Sequence, residues 1–75
     1  MTAKEMWDRL YCIVIETDEY VSVYQSPEDA EYDVWHFRFS RYFPTVEFNW
    51  ELIHSINGLA IQAIHQQTKE LGWLE

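Results

Sequence analysis

Cations are missing from a long stretch of this chain: no Lys or Arg lies between Leu10 and Phe37. Cysteine is nearly absent, with Cys12 alone, so no internal disulfide can form and a cysteine-based structural zinc site is excluded by count. Only Gly58 and Gly72 are glycines, which leaves no glycine-rich phosphate loop. The longest apolar run, Leu10 to Ile15, is far shorter than the roughly 20 residues that cross a bilayer. The first eight residues lack the positive-then-apolar pattern of a signal peptide. Five Lys and Arg stand against 13 Asp and Glu, a net charge of −8. Phosphate backbones and anionic membranes both select for cations, so direct nucleic-acid and membrane binding are disfavoured. The expected location is the cytoplasm, whose reducing conditions suit a lone thiol.

What fills the cation-free stretch is acid and tyrosine. Glu16, Asp18, Glu19, Glu28, Asp29, Glu31 and Asp33 are interleaved with Tyr11, Tyr20, Tyr24 and Tyr32. Disordered acidic tails lack aromatic and β-branched residues, so this block is read as folded. Concentrating one sign of charge makes a folded protein repel itself, which is explained either by solubility or by a basic partner.

Seventy-five residues make one domain, 1–75, with a marginal core. Thirteen Phe, Tyr and Trp residues offer the extra packing that a small chain needs, and self-association is the other way to supply it.

Thr2-Ala3-Lys4-Glu5 reads as a capping box before a short helix over residues 3–10, with Met6, Trp7 and Leu10 on one side. Residues 11–17 are β-branched and aromatic, and residues 20–25 alternate, which predicts a hairpin across Thr17-Asp18-Glu19. A rival reading joins residues 3–24 into one helix, because Trp7, Leu10, Tyr11 and Val14 also fit a 3.6 period. Ser26-Pro27-Glu28-Asp29 reads as a helix start. From Asp33 onward Trp35, Phe37 and Phe39 alternate with polar residues as in a half-buried strand, Phe43-Pro44-Thr45 is a turn, and Val46-Glu47-Phe48 a short extended piece.

The last element is predicted as a long helix from Trp50 to about Leu71, capped by Asn49 and stopped by Gly72. Leu52, Ile53, Ile56, Leu59, Ala60, Ala63, Ile64 and Leu71 would fill an arc of roughly 140°, and Trp50 with Ile61 would widen it to about 200°. So wide a stripe implies a central helix, or an oligomer interface at Trp50 and Ile61. The expected fold class is α+β: a small antiparallel sheet of about three strands packed on this helix.

No catalytic or metal constellation emerges. His54 and His65, eleven apart on the expected helix, would sit about 16 Å from one another along its axis, too far to share an ion. Cys12 sits in an apolar run without a neighbouring base, as an inert thiol does. The paired carboxylates fall in predicted turns, where solvation keeps them ordinary acids. A non-enzymatic protein without metal or cofactor is expected. A mid-helix Gly58 would mark either a close backbone approach or an exposed face.

The acidic block therefore carries the functional expectation. Glu16, Asp18, Glu19, Tyr20, Tyr24, Glu28, Asp29, Glu31, Tyr32 and Asp33 are the candidate partner-binding residues. Alternate residues of a strand lie about 6.8 Å apart on one face, comparable to successive phosphates, so an extended Glu16–Asp18 pair could mimic nucleic acid. Tyr20, Tyr24 and Tyr32 would add rigid contact area. In size, acidity and aromatic content the chain resembles phage-encoded inhibitors of host nucleic-acid enzymes, and immunity or antitoxin proteins, a likeness of composition that covers no particular residue. It implies an inhibitor, acting in the host cytoplasm, that occupies a basic, nucleic-acid-binding surface of another protein. The alternative is a homo-oligomeric structural or accessory protein, a homodimer joined through its helix.

Overall fold

The structure is a computed structural model describing residues 1–73. Helix α1 spans Ala3–Arg9 and opens with the full capping box: Thr2 Oγ1 accepts from the Glu5 amide, and the Glu5 carboxylate accepts from the Thr2 amide. Two hydrogen bonds to one exposed carboxylate favour its charged form, so the Glu5 carboxyl lies below its ordinary value, chiefly through the Thr2 backbone. The helix ends where Tyr11 takes a left-handed conformation at φ 60°. That turn, followed by three β-branched residues, sends the chain into strand β1, so the single helix over 3–24 does not form.

Strands β1 (Ile13–Glu16) and β2 (Tyr20–Tyr24) form the expected hairpin, with Val14 opposite Val23 and Glu16 opposite Val21. Helix α2 (Pro27–Glu31) follows, capped by Ser26 with Pro27 in its first turn. Strand β3 (Phe37–Ser40) pairs with β2, and β4 (Val46–Phe48) pairs with β3. The sheet is antiparallel in the order β1-β2-β3-β4, four strands where about three were expected, because the short piece at Val46 does join the ladder. The α+β class holds.

Alternation divides the sheet into two faces. Val21, Val23, Phe37 and Phe39 point inward and are buried under α1 and the C-terminal helix. Trp7 of α1, fully buried, stacks at a tilt on Phe37 and Phe39, with centroids 5.4 and 6.4 Å away. Phe48 packs edge-on against Phe37, and Trp73 lies at a tilt against Phe39, so aromatic contacts run across the whole core. Fully burying each such side chain is worth about 1.5–3 kcal/mol, which supplies what a chain without disulfides needs. Tyr20, Ser22, Tyr24 and Arg38 point to the other face.

The C-terminal helix is shorter than its apolar pattern suggests. Helix α3 spans Gly58–Glu70, capped by Asn57, whose side chain accepts from the Ala60 amide at 2.8 Å. Asn49 instead closes a turn: its carbonyl accepts from the Leu52 and Ile53 amides, its side chain accepts from the Glu51 amide, and its Nδ2 donates to the Trp35 carbonyl. Ser55, Asn57 and Gly58 interrupt the run because Ser and Asn compete for backbone hydrogen bonds and Gly costs about 1 kcal/mol inside a helix. At the first helical position Gly58 carries no such cost, and an added Cβ there would meet nothing within 4 Å, so no close backbone approach exists. The buried face of α3 is Ala60, Ala63 and Gln67, flanked by half-buried Ile64 and Leu71, an arc of roughly 100° rather than 200°. Trp50 lies outside the helix and packs edge-on against Phe48, while Ile61 is exposed on α3; the two do not share one stripe.

The stop is as expected. Gly72, at φ 81°, donates to the Lys69 carbonyl, and Trp73 donates to Thr68, the paired bonds of a Schellman close. The two terminal helices are tied by the Glu70 carboxylate, which accepts from the Ala3 amide at 2.7 Å and so sits at the positive end of α1.

Candidate functional site

The acidic residues do not form one surface. Strand geometry separates them into two groups at opposite ends of β2, about 14 Å apart from Tyr20 to Tyr24.

One group is the tip of the first hairpin. Thr17 organises it: its hydroxyl accepts from the Glu19 and Tyr20 amides, and its amide donates to the Tyr20 carbonyl. Asp18 and Glu19 are left exposed at the tip. The turn between β3 and β4 lies beside it, stitched by Arg41. The Arg41 amide donates to the Glu19 carbonyl at 2.9 Å, its Nε donates to the Thr17 carbonyl at 2.6 Å, and its guanidinium lies 3.8 Å from the Glu16 carboxylate. In the second turn Ser40 Oγ accepts from the Tyr42 and Phe43 amides. Tyr42 and Phe43 are 69% and 68% exposed. Two carboxylates and two bare aromatic rings thus share one end of the sheet.

The other group surrounds α2. Glu28, Glu31 and Tyr32 are exposed, Asp29 is half-buried, and no cation lies in the last turn of the helix. Asp33 is different. Its left-handed backbone, φ 55°, turns the carboxylate toward the outer sheet face, where Oδ1 accepts from Tyr24 Oη at 2.5 Å and from Arg38 Nη2 at 2.6 Å. Arg38 also donates Nε to Ser22 Oγ at 2.9 Å and lies over the Tyr20 and Trp35 rings, 4.9 and 5.2 Å from their centroids. Tyr24 is buried, 4% exposed; that burial and then the bond to Asp33 push its phenol above the usual tyrosine range.

Four expectations are corrected by this geometry. Asp33 is not a free acid, Tyr24 is not available as contact area, and the cation-free stretch receives two guanidinium groups from β3 and the turn after it. The spacing argument for Glu16 and Asp18 also falls. Strand β1 stops at Glu16, whose side chain shares the inner face with Val21, while Asp18 lies in the turn. Arg38 was legible as an outward residue of an alternating strand; its partners were not. The sequence pattern places Phe43 only in a turn and singles out nothing at Tyr42.

His54 lies outside any helix, in the segment before α3, so its separation from His65 is not helical. His54 and His36 instead line one cavity at the end of the sheet away from the hairpin tip. Cys12 lines it too; burial pushes its thiol up, which disfavours the thiolate. Among the described residues no three His, Cys, Asp or Glu side chains are placed to hold a metal ion, and no helix is long and apolar enough to cross a membrane. No protein-family model, curated protein or solved structure matches the chain.

Proposed function

We propose that this chain is a small acidic binding module that occupies a basic surface of another cytoplasmic protein, a surface that the partner uses for nucleic acid. The contact is centred on the hairpin tip: Asp18 and Glu19 face the partner's cations, and Tyr42 and Phe43 supply the apolar anchors. Glu28, Glu31 and Tyr32 lie at the other end of the sheet and add to the field that steers encounter.

The observation that carries this reading is the placement of two exposed aromatic rings beside two exposed acids on a pair of bonded turns. Acids kept only for solubility do not require bare aromatics beside them, whereas binding hot spots combine rigid aromatic anchors with polar neighbours. Net charge −8 favours fast, salt-sensitive association with a basic partner. The test is affinity capture from the source cell's lysate at low and high salt, followed by competition with DNA and RNA. A captured basic protein that releases this chain to nucleic acid supports the reading. Undiminished capture by a variant carrying Asp18→Lys, Glu19→Lys, Tyr42→Ala and Phe43→Ala removes it.

A second reading, a homo-oligomer joined through Trp50 and Ile61, draws on the exposure of both side chains. Its interface would combine the segment after β4 with one flank of α3.

A further inference from the structure

We propose that the cleft where α1 and α3 cross the β1 edge of the sheet binds a small α-amino acid as its zwitterion. Lys4 of α1, Val14 and Glu16 of β1, and Gln67 and Glu70 of α3 line it. Its volume is about 190 Å³, room for roughly six groups the size of a water molecule at about 30 Å³ each. Glycine and alanine are molecules of that size. None of the five residues takes part in the contact proposed at the hairpin tip, so the two readings are independent.

The floor of the cleft is Gln67. It is 5% exposed, yet its side-chain amide makes no hydrogen bond among the described residues. Unlike Trp7 Nε1 and His36 Nδ1, which are sealed off from solvent, the Gln67 amide atoms keep some accessible surface. The little surface that Gln67 retains therefore carries its polar end, and this cleft is what it lines. A buried amide open to a cavity calls for an occupant that both donates and accepts. Glu16 is the second irregularity. It follows Val14 by two residues and pairs with Val21, so it stands on the inner face among apolar neighbours. A carboxylate at a core-facing register position departs from the sheet's own pattern, and such departures mark functional positions.

The charges around the cleft are of both signs and do not pair with one another. Lys4 forms an ion pair with neither Glu16 nor Glu70 among the described residues. Glu70 uses one oxygen, Oε2, for both the Ala3 amide at 2.7 Å and Gln66 Nε2 at 2.9 Å, and Oε1 bonds nothing among the described residues. Glu16 Oε1 lies 3.8 Å from Arg41, a long contact that leaves its second oxygen open. An ammonium group carries three donors, and Glu16, Glu70 and the Gln67 carbonyl oxygen supply three acceptors. A carboxylate on the adjacent carbon is met by Lys4 Nζ and the Gln67 amide nitrogen. Val14 is left to face a hydrogen or methyl side chain. A simple amine leaves Lys4 unanswered, and a simple acid sets its charge against two carboxylates. A metal is not the occupant, because among the described residues no three ligating side chains converge.

The test is a nitrogen–proton correlation titration of the full chain, following the Gln67 side-chain amide pair, which Gln67→Leu identifies by its loss. L-Alanine and glycine are the probes; propionate lacks the ammonium group, and ethylamine lacks the carboxylate. The expected result is a saturable shift of the Gln67 pair by either probe, with propionate and ethylamine at least about tenfold weaker. Lys4→Gln and Glu16→Gln, both at exposed positions that leave the core intact, should each weaken alanine binding by about tenfold. An unmoved Gln67 signal at about 10 mM of both probes overturns the proposal. So does ethylamine or propionate binding as tightly as alanine, or unchanged alanine affinity in a folded Lys4→Gln or Glu16→Gln chain.

Discussion

Asp33 and Arg38 meet at 2.6 Å on the outer face of the sheet, and the same carboxylate oxygen accepts from the Tyr24 hydroxyl. The last acid of the cation-free stretch is thereby converted from surface charge into a structural anchor. Ser22, Tyr20 and Trp35 hold the guanidinium from its other sides. The exposed acids that remain, Asp18 and Glu19 at one end and Glu28 and Glu31 at the other, have no such partner among the described residues.

Charge reversal should therefore divide the acidic residues into two classes. Glu28→Lys and Glu31→Lys should each change stability by no more than about 0.5 kcal/mol, as exposed positions do. Asp33→Lys should cost about 2 kcal/mol, because it places a cation beside Arg38, strips the Tyr24 hydroxyl of its acceptor and strains a left-handed backbone. The ion pair contributes little of this, since the Asp33 side chain is 61% exposed. Asp33→Asn, which keeps an acceptor oxygen and tolerates the backbone, should cost about 1 kcal/mol or less. Urea unfolding of the variants measures all of these, and equal costs for Asp33→Lys and Glu28→Lys would deny the anchor.

Binding at the hairpin tip should show different kinetics for charge and for aromatic changes. Asp18→Lys with Glu19→Lys should slow association with the basic partner and flatten its salt dependence. Tyr42→Ala with Phe43→Ala should instead speed dissociation, by about tenfold or more. Stopped-flow association and surface-based dissociation against the captured partner separate the two effects. Normal rates in all four changes would leave these residues to solubility.

Glu70 should matter to the whole fold although it is exposed. Removing it by Glu70→Ala takes the acceptor from the Ala3 amide and the negative charge from the start of α1, at a cost of about 1–2 kcal/mol. Glu70→Gln, which keeps an acceptor oxygen, should cost about half of that. Thermal unfolding by circular dichroism reads the difference.

Tyr24 should make the protein sensitive to alkali. A phenol whose folded value is raised above its unfolded one stabilises the fold fully below about pH 10, and that contribution is lost as pH rises through the folded value. Tyr24→Phe should lower stability at neutral pH by about 1 kcal/mol and show a shallower decline above about pH 10. Glu5 acts at the other extreme: its depressed value makes its contribution present above about pH 4.5 and lost as the pH falls further. Urea midpoints across pH would report parallel alkaline slopes if Tyr24 were not responsible.

Oligomeric state separates the two functional readings. If Trp50 and Ile61 form an interface between copies, the wild type should sediment as a dimer at micromolar concentration, and Trp50→Glu or Ile61→Glu should give folded monomers. A wild-type monomer would leave the acidic binding module as the reading that stands.

Much of this molecule could be read from neighbours along the chain. The capping box at Thr2 and Glu5, the Ser26-Pro27 start of α2, the β-branched hairpin and the Gly72 stop are all interactions within about four residues, or intrinsic backbone preferences, and each forms as read. The start of α3 departs from the apolar period, which includes Leu52, Ile53 and Ile56, because Ser55, Asn57 and Gly58 disfavour helix and Asn57 takes the cap. At the candidate site, the exposure of Asp18 and Glu19 was legible in their turn-forming context. The roles of Asp33, Arg38 and Arg41 were not, since Arg41 reaches Thr17 across 24 residues of sequence. Composition and local pattern thus determined the elements, the excess of acid and the class of fold. Strand register and packing alone decided which acids met a cation, which aromatics stayed bare and which histidines came to share a cavity, because those outcomes depend on distances between residues far apart in the chain.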